Sequence, residues 1–188
     1  TLVGTPFPGK YIEGHPRLMH DGTGVYILGA DSSGKLWLNR FNQSNGLWGA
    51  SAAFPKLVAS DLSNASIPVG TSYPLRRAWE YQMGHQYQYG ASDSILVAYG
   101  SSVGSQQTLR VSRCATSGTA PCTTNVYTVQ PANGQHAFHP AIASAIRSNS
   151  GGPGFSMANV LTWQQTDGSQ VALHASRLTT AGAQTGSR

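Results

Sequence analysis

One segment of the sequence concentrates side chains that can bind a polar ligand. Residues 79–89 read Trp-Glu-Tyr-Gln-Met-Gly-His-Gln-Tyr-Gln-Tyr, so aromatic rings alternate with amide, carboxylate and imidazole groups. Aromatic faces stack on ligands, and amides and charged groups fix them by hydrogen bonds. The segment therefore predicts a site that contacts glycan or protein, made by Trp79, Glu80, Tyr81, His85, Tyr87 and Tyr89. The alternative interpretation is a long strand whose alternating aromatics belong to the core.

Acid catalysis has little support in the sequence. The chain has only seven carboxylates, and Asp21, Asp31 and Asp167 stand beside Gly or Ser in predicted turns, where Asp caps its own backbone. Glycoside hydrolysis needs two carboxylates at a fixed separation, and no sequence pattern pairs the other four. Glu80 is the strongest candidate acid because it stands among aromatic residues. Whether the chain is an enzyme is left open, with the balance against it.

The histidines and glycines do not predict a metal or a cofactor. His15 and His139 both precede proline, so a structural role at the start of a repeat explains them. His136 and His139 are three residues apart in an extended segment, where their side chains point in different directions. His85 is the histidine with the least explanation. Gly151–Gly154 lacks the Lys-Ser/Thr of a phosphate-binding loop. We predict no metal and no cofactor.

The cysteines of the sequence indicate its compartment, and its charge limits the classes of partner. Cys114 and Cys122 flank a turn-rich loop between two strand candidates, which predicts a disulfide that closes a hairpin and an oxidising compartment. The net charge is +5, but the arginines are scattered and no basic helix is predicted, so nucleic acid is not an expected partner. No apolar run reaches the ~20 residues of a membrane span. The expected localisation is secreted or at the cell surface.

Short apolar runs between Gly, Ser and Asn turns predict an all-β fold. The stretch from Ile95 to Ala143 reads as strand, turn, strand, cysteine-closed loop, strand, turn, strand. The pattern restarts at His15-Pro16, at Tyr73-Pro74 and at His139-Pro140. This predicts a partial β-propeller of about three four-stranded blades over 15–178, with a lead-in at 1–14 and a polar tail at 179–188. Residues 79–89 then interrupt the second blade between its first two strands. The alternative is a β-sandwich.

Several motifs of the second and third repeats resemble those of a known family. The segments Leu109–Cys114, Val126–Val129, His139–Ala143 and Val160–Trp163, with Cys122 between the first two, are similar to sialidase-like (BNR-type) β-propeller repeats of secreted bacterial proteins. The Asp-box of sialidases has a degenerate echo in Asp31–Gly34 with Trp37. The resemblance implies a propeller architecture, and it is hardly specific for function.

A closed propeller needs at least four blades, and three are too few. The chain is therefore expected to be part of a larger secreted protein or oligomer, completed by another protein chain or by further copies of itself. The predicted function is an extracellular recognition or assembly module that contacts glycan or protein. One alternative is a fragment of a glycosidase-type propeller enzyme. Another is a structural surface or filament subunit.

Overall fold

The structure, a computed structural model, describes residues 4–22, 24–49, 53–63, 67–69, 73–75, 80–86, 93–148, 155–178 and 184–187. These residues form β-strands and no helix, which confirms the predicted all-β class. In particular, they contain no helix with the length and apolar character that a membrane span needs. The strands are β1 (Ile12–His20), β2 (Val25–Asp31), β3 (Leu36–Asn42), β4 (Leu47–Trp48), β5 (Lys56–Ala59), β6 (Ile67–Val69), β7 (Tyr73–Leu75), β8 (Tyr81–Gln86), β9 (Ser94–Val103), β10 (Gln106–Ala115), β11 (Thr123–Val129), β12 (His136–Ser148), β13 (Phe155–Thr166), β14 (Val171–Leu178) and β15 (Gln184–Ser187).

Most strands belong to three antiparallel meanders in chain order. The first sheet has the order β1-β2-β3-β4, and β5 also pairs with β3. The middle sheet runs β8-β9-β10-β11 and the third sheet β12-β13-β14-β15. The strands β6 and β7 form a separate hairpin. Sequential meanders of four strands match the predicted four-stranded pattern, but β8 and β15 lie where the sequence predicted an insertion and a tail.

The middle sheet is covered on both faces. On β9, Ile95, Val97 and Tyr99 pack into a core shared with the first sheet. The intervening residues Leu96 and Ala98 pack into a second core shared with the third sheet. Successive side chains of a strand point to opposite faces, which is why β9 is apolar without interruption. Three meanders stacked in this way fit both a partial propeller and a layered β-sandwich.

The start of the middle sheet differs from the sequence prediction. Residues 79–89 were expected to interrupt a blade, but β8 occupies their centre and is itself the first strand of the sheet. It pairs with β9 from Tyr81↔Tyr99 to Gln86↔Ser94. The alternation of this segment is therefore the period of a strand with a buried side. Tyr73-Pro74, the predicted restart, lies in β7 of the separate hairpin.

The described parts of the predicted lead-in and tail also take part in the fold. Phe7 of the predicted lead-in is buried, and the Asn39 side chain donates a hydrogen bond to the carbonyl of Pro6. Lys10 Nζ lies 3.6 Å above the Trp37 ring, so the lead-in covers part of the first sheet. The predicted polar tail contributes β15, which pairs with β14. Strand pairing uses backbone groups, so a polar sequence without apolar periodicity can still extend a sheet.

The two His-Pro pairs lie at corresponding shifts in the register of strand pairing. The register of β1 with β2 shifts between Glu13 and Arg17, across His15-Pro16. The register of β12 with β13 shifts between Phe138 and Ala141, across His139-Pro140. Proline has no N–H to donate to a ladder, so it is tolerated at such bulges. Both histidines lie in the first strand of a sheet, β1 and β12, as the sequence predicted.

The predicted disulfide between Cys114 and Cys122 is present. It closes the loop between β10 and β11, and both cysteines are buried in the core between the first and middle sheets. The same loop contacts the buried ammonium group of Lys56, which lies on β5 of the first sheet. Lys56 Nζ donates hydrogen bonds to the carbonyls of Ala115 and Ala120, at 2.9 and 3.2 Å. The disulfide loop therefore joins two sheets.

Two aspartates build the same turn in different sheets. Asp31 Oδ1 accepts hydrogen bonds from the backbone N–H and hydroxyl of Ser33, at 2.9 and 2.6 Å. Asp167 Oδ1 accepts the same pair from Ser169, at 2.8 and 2.7 Å. In addition, the Trp37 indole donates to Asp31 Oδ2 at 2.8 Å. The predicted role of these aspartates as caps of their own turns is confirmed.

These turns are expected to make stability fall at acid pH. Desolvation acts to raise the pKa of Asp31, but the hydrogen bonds from Ser33, Trp37 and the backbone outweigh it and hold the pKa at about 2. The Ser169 hydroxyl and backbone hydrogen bonds lower the pKa of Asp167 to about 2. An unfolded aspartate has a pKa of about 3.9, so the unfolded chain binds more protons than the folded one between about pH 4 and pH 2. The free energy of unfolding should therefore decrease as the pH falls through this window.

Urea denaturation from pH 2 to pH 5 measures this effect. Asp31→Asn and Asp167→Asn should each reduce the pH slope, because the titrating group is gone. Asn42→Ala is the matched control, since Asn42 Oδ1 accepts a hydrogen bond from Ser44 N–H at 2.9 Å in a turn that does not titrate. It should lower stability equally at every pH. An unchanged slope in both aspartate variants would contradict the prediction.

Candidate functional site

A cleft lies where the first strands of the three sheets meet. It has a volume of about 300 Å³ and opens to solvent. Its lining is half apolar and half polar, which suits a small ligand that needs both packing and hydrogen bonds. The lining comes from the end of β1 and the following turn (Met19, His20 and Asp21), from β8 (Met83, Gly84 and His85) and from β12 (Ile142 and Ser144).

Gly84 sets how closely β8 and β12 approach each other. A Cβ atom at this position would overlap Ile142 Cγ2 and would lie 2.9 Å from Ser144 Oγ. Only a residue without a side chain fits there. The Ser144 hydroxyl in turn donates to Asn159 Oδ1 at 2.7 Å. The middle and third sheets are therefore in contact through the Ile142 and Ser144 side chains, which pack on the backbone of Gly84.

Three potential metal ligands converge beside the cleft. Asp21, His85 and Asp93 each offer one ligand atom, and these atoms all lie within 4.8 Å of one another. His85 Nε2 is 3.6 Å from Asp93 Oδ1, and His85 is only 8 % exposed. Asp21 follows β1, His85 lies on β8 and Asp93 precedes β9, so only the fold brings them together. The prediction of no metal did not consider this group, because its members share no local motif.

Tyr26 lies close to this group, and its surroundings raise the pKa of its hydroxyl. Burial of Tyr26 raises the pKa of its hydroxyl above the ordinary value, and the charge of Asp21 raises it further. Asp93 acts in the same direction, whereas Arg40 opposes it. Two carboxylates in a partly buried space make a local region of negative potential, which favours cations and neutral hydrogen-bond donors.

The structure separates the six residues predicted to bind ligand. Trp79, Tyr87 and Tyr89 lie outside the described residues, and their part in a site stays a prediction. Tyr81 is 2 % exposed and packs in the core between the first and middle sheets. Its ring therefore contributes to packing, which agrees with the alternative interpretation of this segment. Of the other two, only His85 lines the cleft.

Glu80 contacts the bulge of the third sheet. Its Oε2 accepts a hydrogen bond from the backbone N–H of His139 at 2.7 Å, and its Oε1 lies 3.0 Å from His139 Nε2. The other ring nitrogen of His139 is 3.0 Å from Gln164 Oε1. His139 has a φ of 50°, which is uncommon for any residue except glycine. The carboxylate thus holds an unfavourable backbone conformation between two sheets.

Three of the four carboxylates that the sequence left unpaired lie beside basic side chains in the fold. Asp61 accepts hydrogen bonds from Arg110 Nη1 at 2.5 Å and from the Ser101 hydroxyl at 2.8 Å. Glu80 pairs with His139 and Asp93 lies beside His85. No sequence signal pointed to these partners, because each lies on a different strand. Comparisons of the chain with protein-family models, curated proteins and solved structures found no match.

Proposed function

We propose that the chain is a recognition module of a secreted or cell-surface protein, and that it binds a carbohydrate in the cleft between β1, β8 and β12. The observation that carries this proposal is the mixed lining of the cleft. Met19, Met83 and Ile142 offer apolar surface to a sugar ring, and His20 and Ser144 offer hydrogen-bonding groups. A volume of about 300 Å³ is at the small end of ligand pockets, which suits one or two sugar residues.

The neighbouring sequence supports a carbohydrate ligand. Trp79 and Tyr87 flank β8 in the chain, and Tyr87 is two residues beyond His85 of the cleft. Aromatic rings provide stacking surfaces for sugars. The disulfide supports an oxidising compartment. Val160, Val171 and Leu173 of the third sheet are exposed, which supports contact with another chain or a further copy.

The proposal is tested by glycan-array screening followed by titration calorimetry with the glycan that binds. The variants His20→Ala and Ser144→Ala each remove one polar group from the cleft, and together they should weaken binding by about tenfold or more, as expected for two hydrogen bonds of about 1 kcal/mol each. Trp79→Ala and Tyr87→Ala should weaken it further if the rings stack on the sugar. Leu173→Ala is the control, because Leu173 is 78 % exposed on the third sheet.

Two results would count against this function. Cleft variants that bind the glycan as tightly as the unmodified chain would place the ligand elsewhere. Release of a cleaved sugar from the titrated glycan would favour the glycosidase alternative instead. That alternative has one structural observation in its favour, since ligand atoms of Asp21 and Asp93 lie within 4.8 Å of each other. Retaining glycosidases hold two carboxyl groups about 5 Å apart.

A further inference from the structure

We propose that Asp21, His85 and Asp93 form a binding site for a divalent transition-metal ion of the Mn²⁺ to Zn²⁺ class at the wall of the cleft. The proposal goes beyond carbohydrate recognition, and metal binding can be measured without any glycan. It combines a buried imidazole, two carboxylates and an adjacent open cleft.

The spacing of the ligand atoms is close to that around a single ion. Zn²⁺ binds nitrogen and oxygen at about 2.0–2.2 Å, so two donors on one ion are separated by at most about 4.4 Å. His85 Nε2 and Asp93 Oδ1 are already 3.6 Å apart. All three ligand atoms lie within 4.8 Å of one another. The largest separation exceeds that maximum by no more than about 0.4 Å. A small side-chain rotation that moves one carboxylate oxygen by this distance would bring all three ligand atoms within reach of one ion.

Each ligand is held in place by its own element. Asp21 Oδ1 accepts a hydrogen bond from Gly24 N–H at 2.7 Å, which fixes the turn after β1. The carbonyl of Asp93 accepts hydrogen bonds from the backbone N–H and the hydroxyl of Thr116, both at 3.2 Å. His85 is paired opposite Ile95 within the middle sheet. A site built on such supports binds a metal with little reorganisation.

The charge balance of the group favours a cation. Asp93 Oδ1 is buried and has no hydrogen-bond partner among the described residues. The 3.6 Å separation from His85 Nε2 is too long for a hydrogen bond. A buried carboxylate oxygen without a partner is costly. A bound cation would neutralise both carboxylates and give this oxygen a ligand bond.

The donor set and the cleft decide which ions fit. Imidazole suits Zn²⁺ and its first-row neighbours, and carboxylates suit Mn²⁺ as well as Zn²⁺. Both cysteines are in the disulfide, so no thiolate is present to select a softer ion. Three protein ligands leave coordination positions for water, as in zinc sites that keep an open position. The cleft of about 300 Å³ has room for such waters, which need about 30 Å³ each.

Titration calorimetry of the chelator-treated full chain with Zn²⁺ and Mn²⁺ tests the site. The expected result is one site per chain whose Zn²⁺ affinity falls at least about tenfold in His85→Gln and in Asp93→Asn, because loss of a direct ligand should exceed the effect of losing an outer partner. His174→Gln is the matched control. It removes an imidazole that stacks on Trp163 in the third sheet and not one from the ligand group, so it should keep the affinity. Unchanged Zn²⁺ binding in His85→Gln would overturn the proposal.

A measurement on the unmodified chain covers the case in which a variant does not fold. Mn²⁺ is paramagnetic, so it broadens the NMR signals of nuclei close to it. Substoichiometric Mn²⁺ should broaden the ring signals of His85 and the methyl signal of Met83 before those of His174, which stacks on Trp163 in the third sheet. Broadening that is absent, or that first affects His174, would overturn the metal site. Neither outcome bears on glycan binding.

Discussion

Replacing both Cys114 and Cys122 with alanine is expected to lower the free energy of unfolding by about 3 kcal/mol. The cross-link spans a sequence separation of 8, and closing so short a loop contributes about 2–3 kcal/mol in the chain-entropy model. Both side chains are also buried between the first and middle sheets, so alanine removes packing atoms as well. The loss should exceed that of a typical surface substitution several-fold.

The disulfide also supports the buried ammonium of Lys56. Lys56 is 4 % exposed, and its Nζ is bonded to two carbonyls of the closed loop. Desolvation lowers the pKa of Lys56, because burial disfavours the charged ammonium group. A loosened loop would leave this cation with fewer acceptors. The effects of Lys56→Met and of the cysteine double variant should therefore be coupled rather than additive.

Urea denaturation of four proteins measures both effects. They are the unmodified chain, the cysteine double variant, Lys56→Met and the combination of the two. The unmodified chain under reducing conditions is the control, because it separates loss of the cross-link from loss of packing atoms. A change below about 1 kcal/mol, the middle of the range for ordinary substitutions, would show that the disulfide does not hold the two sheets.

Glu80→Ala is expected to destabilise the chain by about 2 kcal/mol. Glu80 is largely buried, with 13 % of its side chain exposed, and it accepts the backbone N–H of His139 at 2.7 Å. Without the carboxylate, this donor loses its partner while His139 stays at a positive φ before Pro140. Both features are unfavourable, because a residue before proline prefers extended conformations.

Three further variants define the origin of this loss. Glu80→Gln keeps one acceptor oxygen and should recover part of the stability. Gln164→Ala removes the other ring partner of His139, which is exposed, so it should cost less than 1 kcal/mol, as usual for a neutral surface contact. His139→Gly relieves the positive φ and should reduce the cost of Glu80→Ala when the two are combined. Thermal and urea unfolding of Glu80→Ala within experimental error of the unmodified chain would contradict the role.

Local signals in the sequence were sufficient for the all-β class, the disulfide and the aspartate turns. Each depends on residues that are close in the chain. Alternation and short apolar runs predict strands, two cysteines around a turn predict a closed hairpin, and Asp before Ser predicts a capped turn. The buried run from Ile95 to Tyr99 is the clearest case, because a strand covered on both faces needs apolar residues at every position.

The tertiary structure alone decided the place of β8, the cleft and the ligand group. Residues 79–89 could be an insertion or a strand, and only pairing with β9 shows that they contain the first strand of the middle sheet. Asp21, His85 and Asp93 belong to three different segments, and the Glu80–His139 pair joins two sheets. Distances between such residues depend on how the sheets stack. Stacking is determined by packing such as that of Gly84 against Ile142, which no sequence period encodes.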